Sequence, residues 1–357
     1  MSRLKPHAPS AVETAWSVLE EVLRDNAALF RTTRTERVWV AQPDPSPSVF
    51  AVLQRLQPAK IEIMQTFRPA VDELEIDGFF ATQAPANGPF EIAVCVPTRQ
   101  RTESLALMAH GLLNLSGKGR FVFACANTQG APGYLKHLKE AFPALEAESS
   151  QKCRWVILEA SQIENRKVLE SWIEAAAPVQ VPGSEFFSVP GIYGWNKIDR
   201  ASQLLVASLP ALAGKGADLG SGYGYLSHHV LSKHAQVTHL DLIEAEARAL
   251  DCARKNLPQA GERASFHWLD ATAPATRSKF QALDWVVMNP PFHEGADVNQ
   301  GVGRAFIETA AAILKPEGHL YMVANVFLGY EKVLSQHFRK VERVCEEEGF
   351  KVIHAQR

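Results

Sequence analysis

Apolar and polar positions fall into short blocks along the second half of this chain, and the blocks have the lengths of strands. Leu283-Asp284-Trp285-Val286-Val287-Met288 is a nearly continuous apolar run, as expected of a strand buried on both faces, and it stops on Asn289-Pro290-Pro291-Phe292. Upstream, Ala217-Asp218-Leu219 runs into Gly220-Ser221-Gly222-Tyr223-Gly224 and then Tyr225-Leu226, which reads as strand, glycine turn and helix start. Residues 236–243 form a second strand pattern with Glu244 at its end and a helix pattern from Ala245; residues 264–269 form a third, ending on Asp270. The stretch 314–319 reads as a helix end and turn before a fifth strand at 320–324. Residues 343–346 and 350–355 read as antiparallel strands turning at Gly349. Strands alternating with helices predict an α/β fold, here a seven-stranded, mostly parallel sheet with its ligand at the carboxyl ends of the strands.

Residues 1–180 alternate in the same way. Residues 38–41 and the following Gln42-Pro43-Asp44-Pro45 take the place of a first strand and its loop, with prolines where glycines are needed. Residues 91–97, a helix pattern and residues 115–127 repeat the order of residues 285–290, a helix and residues 314–325. That is an internal repeat at the scale of a domain. Pro178, Pro182 and Gly183 supply a break, giving domains at 1–180 and 181–357.

Composition narrows the class only a little. A chain of 357 residues is long for one domain and comfortable for two. It has no apolar stretch long enough to span a bilayer, and Met1-Ser2-Arg3-Leu4-Lys5 is no signal peptide, so a cytoplasmic protein is expected. The five cysteines and twelve histidines show no metal-ligand spacing; no metal is expected, and the cysteines are expected to be reduced. A formal net charge of −2 argues against a general nucleic-acid binder and leaves room for a local basic surface, with candidates at Arg31, Arg34 and Arg37, at Arg99 and Arg101, and at Arg339, Lys340 and Arg343.

The chemistry is concentrated at the strand ends. Exocyclic base amines and carboxamides are poor nucleophiles because the nitrogen lone pair is delocalised. The Asn289 side-chain oxygen and the Pro290 carbonyl can accept both N–H groups of such a nitrogen, and two prolines hold that carbonyl rigid. Phe292 offers a face for a flipped-out base. Asn-Pro and Pro-Pro are also ordinary turn dipeptides. The glycine loop lacks the third glycine of a dinucleotide fingerprint, since Tyr225 stands there. Asp218-Leu219-Gly220-Ser221-Gly222-Tyr223-Gly224 instead resembles the first motif of class I S-adenosylmethionine-dependent methyltransferases. That resemblance implies Asp218, Gly220, Ser221 and Gly222 around the methionine part of S-adenosylmethionine, Glu244 on the ribose and Asp270 on the adenine amine.

From Pro190 onward the chain resembles the bacterial ribosomal RNA guanine-N2 methyltransferases, the family that comprises methyltransferase C of the small ribosomal subunit and methyltransferase G of the large one. The match rests on Pro190-Gly191-Ile192-Tyr193, Ser202-Gln203-Leu204-Leu205, the glycine loop, Asn289-Pro290-Pro291-Phe292-His293 and Val323-Ala324-Asn325. It implies methyl transfer from S-adenosylmethionine to a guanine 2-amino group in ribosomal RNA, free or in an assembled ribosomal particle. Asn289, Pro290 and Phe292 would be catalytic, Asn289 would also border the cofactor, and Pro291, Phe292 and Tyr193 would contact substrate; His293 stays outside the catalytic set. It also implies two tandem Rossmann-like methyltransferase domains, the N-terminal one degenerate and serving RNA binding or support. Two departures stand out: Tyr193-Gly194-Trp195-Asn196-Lys197-Ile198-Asp199 lacks the arginine of the family's Phe-Ser-Arg-(Asp/Thr)-Gly-Leu-Asp, and Ser221 replaces the usual cysteine. The same four residues at 289–292 would serve an adenine-N6 or a protein glutamine-N5 methyltransferase. A non-catalytic RNA-binding protein with a retained pocket and a nicotinamide dehydrogenase are the rivals from other classes.

Overall fold

The computed structural model describes residues 10–291 and 298–357, which fall into two compact units, Met1–Ala177 and Pro178–Arg357. The first unit contains β1 (Arg37–Ala41), β2 (Lys60–Met64), β3 (Ala81–Thr82), β4 (Phe90–Cys95), β5 (Leu115–Ala126), β6 (Glu148–Ser150) and β7 (Cys153–Glu159) in the order β3-β2-β1-β4-β5-β7-β6. The second opens with a small hairpin, β8 (Val179–Gln180) with β9 (Phe187–Ser188), turning at Pro182-Gly183 and burying Val181 and Phe186 against Tyr223 and Cys252. Its main sheet holds β10 (Gly214–Leu219), β11 (Val237–Glu244), β12 (Ala264–Trp268), β13 (Leu283–Met288), β14 (Leu314–Asn325), β15 (Lys340–Glu347) and β16 (Phe350–Gln356), ordered β12-β11-β10-β13-β14-β16-β15. Counted in chain order, the two sheets have one topology. Five strands are parallel, the seventh pairs antiparallel with the fifth, and the sixth pairs antiparallel with the seventh at the sheet edge.

Helices cover both faces of each sheet, so the central strands bury apolar side chains on both faces. Along β13, Val286 and Met288 enter one core, while Trp285 and Val287 enter the other. β1 divides the same way, with Val38 and Val40 on one face and Trp39 and Ala41 on the other. Within the second sheet β10 comes so close to β13 that a Cβ at Gly216 would run into the Trp285 ring.

The fifth strands show the duplication in detail. β14 begins earlier than the turn pattern at 314–319 implies: Leu314 already pairs with Leu283, the next pairing is Trp285 with His319, and residues 315–318 loop out between them. β5 has the same irregularity, with Phe90 opposite Leu115 and then Ile92 opposite Arg120. In both copies the glycine closing the loop, Gly119 or Gly318, lies against the carbonyl of the first residue of the fourth strand, Phe90 or Leu283, within 2.5 and 3.1 Å of where its Cβ would be. No helix among the described residues is long and apolar enough to cross a membrane.

Candidate active site

β10 ends in a loop that favours glycine at three places: Gly220, Gly222 and Gly224 have φ of 73°, 55° and 86°. The turn is tied to β11, because Gly220 donates its N–H to the Ile243 carbonyl at 2.8 Å and Gly222 donates to Glu244 Oε2 at 2.8 Å. Glu244 Oε1 accepts from the Glu246 N–H at 2.8 Å. Each of its oxygens therefore keeps a lone pair for a hydroxyl donor. Burial holds the Glu244 carboxyl above its ordinary range against the pull of these N–H groups.

Asp218, on β10, is fully buried. Its Oδ2 accepts from Ser227 Oγ at 2.7 Å, while Oδ1, like Ser221 Oγ nearby in the loop, is buried without a partner among the described residues. An unpartnered carboxylate oxygen is costly in such a place. Burial, reinforced by Glu244 and opposed by Ser227, pushes Asp218 up to about 7. One buried and one half-buried carboxyl group, with an open acceptor beside a bare glycine backbone, suit a ligand that brings an ammonium and hydroxyls. Asp270 follows β12 two strands away and accepts from the Thr272 N–H at 2.7 Å. Asp241, the other acid on β11, faces His267 at 2.8 Å and His239 at 3.4 Å and has no contact with the loop among the described residues.

β13 ends beside β10, in the register Leu219↔Met288, so Asn289 leaves the sheet next to the glycine turn. Its Nδ2 donates to Asp199 Oδ2 and to Ser202 Oγ, both at 2.8 Å. A carboxylate only accepts, so Asp199 dictates which end of the amide faces it. Both amide hydrogens are spent on the protein, and the Asn289 oxygen is turned the other way. Asp199 is itself fixed: it caps the helix Arg200–Ser208 by accepting the Ser202 N–H at 2.9 Å, and it receives the Tyr193 hydroxyl at 3.3 Å. Tyr193 is 60 % exposed, and partial burial with the Asp199 charge pushes its hydroxyl up to about 12. Pro290 is buried and Pro291 exposed; Phe292 and His293 lie outside the described residues.

Asp199, Ser202 and Ser227 are the additions that sequence reasoning missed. An acid followed three residues later by serine at a helix start was the available signal for the first two. The first unit shows the same frame without the chemistry. Its registers Ala41↔Cys95 and Ala41↔Met64 match Leu219↔Met288 and Leu219↔Ile243, which puts Val40 in the place of Asp218, Val96 in that of Asn289 and Gln65 in that of Glu244. Gln65 accepts from the Phe67 N–H at 2.9 Å, as Glu244 does from Glu246, but its amide donates at 2.8 Å to the Pro43 carbonyl of the proline-rich loop. No group of three or more metal-ligating side chains gathers among the described residues.

Residues 183–354 match the family model described as methyltransferase small domain. The chain is similar to a ribosomal RNA small subunit methyltransferase C from Acinetobacter baylyi, 26% identical over 288 residues that cover 78% of this chain and 82% of that one. It is also similar to the protein of that name from Psychromonas ingrahamii, 31% identical over 209 residues and 58% of each chain. Among solved structures, a T. thermophilus 16S rRNA N2 methyltransferase in complex with AdoMet and guanosine has the same fold, with TM-score 0.73 over 92% of this chain and 90% of that chain at 23% identity. With its two sheets of one topology and its glycine loop beside Asn289, the chain carries a methyltransferase small domain over residues 183–354 and is similar over most of its length to ribosomal RNA small subunit methyltransferase C proteins.

Proposed function

We propose that this chain transfers a methyl group from S-adenosylmethionine to the exocyclic 2-amino group of a guanine in ribosomal RNA, free or within a ribosomal particle, in the cytoplasm and without a metal. The observation that carries the chemistry is the Asn289 amide, held by Asp199 and Ser202 with its oxygen presented beside the buried Pro290. The names of the relatives carry the choice of guanine and of ribosomal RNA.

Asp218, Gly220, Ser221 and Gly222 would hold the amino-acid end of the cofactor, with the Asp218 carboxylate opposite its ammonium. Glu244 would accept the ribose hydroxyls and Asp270 the adenine amine. Bound there, S-adenosylmethionine supplies an electrophilic methyl group. The task left to the protein is to present the amine. Asn289 Oδ1 and the Pro290 carbonyl accept one N–H each, which localises the nitrogen lone pair out of the base plane and toward the methyl carbon. Since both acceptors are fixed before substrate arrives, little reorganisation remains for the transition state. As the nitrogen–carbon bond forms and the carbon–sulfur bond breaks, the nitrogen gains a positive charge and loses its proton to water, so no side-chain base is needed. Tyr193, Pro291 and Phe292 would contact the base. The N-terminal unit, which lacks these residues, would orient the RNA or support the catalytic unit.

Asn289→Ala tests this assignment. Transfer of labelled methyl to ribosomal RNA should fall by at least about a hundredfold, while calorimetry should find cofactor affinity nearly unchanged. Undiminished transfer by the variant would remove Asn289 from the reaction.

A further inference from the structure

A lone aromatic on a protein surface is ordinary; Phe327 is set apart by what surrounds it. The ring is 91 % exposed, yet its loop is firmly held. The Phe327 N–H donates to Asn325 Oδ1 at 3.0 Å, and Leu328 donates to the Asn325 carbonyl at 3.1 Å. From beneath, Lys351 of β16, opposite Ala324 of β14 and only 1 % exposed, donates to the Leu328 carbonyl at 2.7 Å and to Glu331 at 2.6 Å. A buried ammonium is expensive unless fully partnered, and what this one secures is the loop behind Phe327.

At the foot of the loop lies a cleft of about 430 Å³ lined by Arg304, Leu328, Gly329, Tyr330 and Lys332. Its two cations are uncompensated: among the described residues neither Arg304 nor Lys332 has an ion pair. The other arginines of this unit are all engaged. Arg200, Arg248, Arg254, Arg277, Arg339 and Arg343 bind carboxylates, and Arg263 and Arg357 bind backbone carbonyls. The basic run at 339–343, a candidate patch in the sequence, is cancelled by Glu317, Glu342, Glu331 and Glu346. Because β13 and β14 are parallel neighbours in the register Met288↔Met322, Asn289, the helix carrying Arg304 and the loop carrying Phe327 all leave the same edge of the sheet.

We infer that this cleft and ring form a docking site for the unpaired RNA next to the methylated guanine, a reading that rests on RNA being the substrate. Phe327 stacks on a flanking base, and Arg304 and Lys332 neutralise backbone phosphates. An unpaired strand offers flat faces and regularly spaced negative charge, and an exposed ring beside two such cations matches both. It also answers how a chain with a net charge of −2 engages a polyanion, by a local positive field.

The test uses the full chain and a short fluorescein-labelled single-stranded RNA of mixed sequence, with binding followed by anisotropy across a salt series. Phe327→Ala should weaken binding by about tenfold. The double variant Arg304→Gln, Lys332→Gln should reduce the slope of log affinity against log salt by about 1.4, about 0.7 for each lost phosphate contact. Cofactor affinity, measured on the same samples by calorimetry, should stay at the wild-type value and so report an intact fold. Equal RNA affinity in all three proteins, or no binding of the RNA by the wild type, would overturn the docking site. Methyl transfer to ribosomal RNA is measured in parallel. Transfer with an unaltered KM in the variants would remove the docking site and leave the reaction standing, whereas a wild type that labels no ribosomal RNA would remove both.

Discussion

Asn289 can be read from the sequence, but its orientation cannot. An asparagine amide placed at a strand end is equally able to present nitrogen or oxygen, and only the oxygen can accept from a base amine. Asp199 and Ser202 make that choice, from 90 and 87 residues away in sequence, so only the folded sheet reveals it. Asp199→Asn separates this role from the helix cap, because asparagine caps as well as aspartate. In that variant kcat should fall by about tenfold, with cofactor affinity unchanged and stability altered by less than about 1 kcal/mol; an unchanged kcat would reduce Asp199 to a cap. Asp218 supports a second test. Its carboxyl, raised to about 7 by burial, binds a proton that the unfolded chain has lost, so in the free protein its contribution to stability falls as pH rises from the ordinary aspartate range to about 7. A bound ammonium reverses the preference and favours the ionised form. Cofactor binding near pH 6 should therefore release a proton, seen as a dependence of calorimetric heat on buffer ionisation enthalpy, and affinity should weaken as pH falls below about 7. Asp218→Asn should abolish the proton release, and its persistence in that variant would assign it elsewhere.

Among the elements, the strands whose two faces are both buried were the most legible in the sequence. The apolar run at β13, and the glycine, acid and Asn-Pro breaks that end β10, β11 and β13, stand out because strand pattern and turn residues agree there. β14 was harder: Pro316, Glu317 and Gly318 look like a turn outside a strand, and only the pairing of Leu314 with Leu283 shows them as a loop within one. Basic residues misled for a related reason. Arg339, Lys340 and Arg343 cluster in sequence, yet strand pairing sets them among glutamates, while Arg304 and Lys332 come together only when two helices leave neighbouring strands. Close strand approach supplies a prediction at this scale. A methyl group at residue 216 would meet the Trp285 ring, so Gly216→Ala should lower stability by about 1–3 kcal/mol and move the urea midpoint of the C-terminal unit down. An unmoved midpoint would show that the contact is looser than the geometry at Gly216 indicates.

For the whole molecule, one topology used twice explains the length of the chain, and the contrast between the copies supports placing the proposed function in the second. The first copy retains the strand order and the irregular fifth strand, but has Val40, Gln65 and Val96 where the second has Asp218, Glu244 and Asn289. The repeat was visible in the sequence because the fourth and fifth strands keep their spacing. The matching of individual positions needed the registers. All of this bears on the one reaction proposed, methylation of the 2-amino group of guanine in ribosomal RNA by the C-terminal copy. The decisive experiment incubates the protein with methyl-labelled S-adenosylmethionine and ribosomal particles, free ribosomal RNA or total protein from cells lacking this gene, then digests the RNA and separates its nucleosides. Label should appear in N2-methylguanosine and be lost with Asn289→Ala; label in N6-methyladenosine, in protein or in no fraction would contradict the assignment.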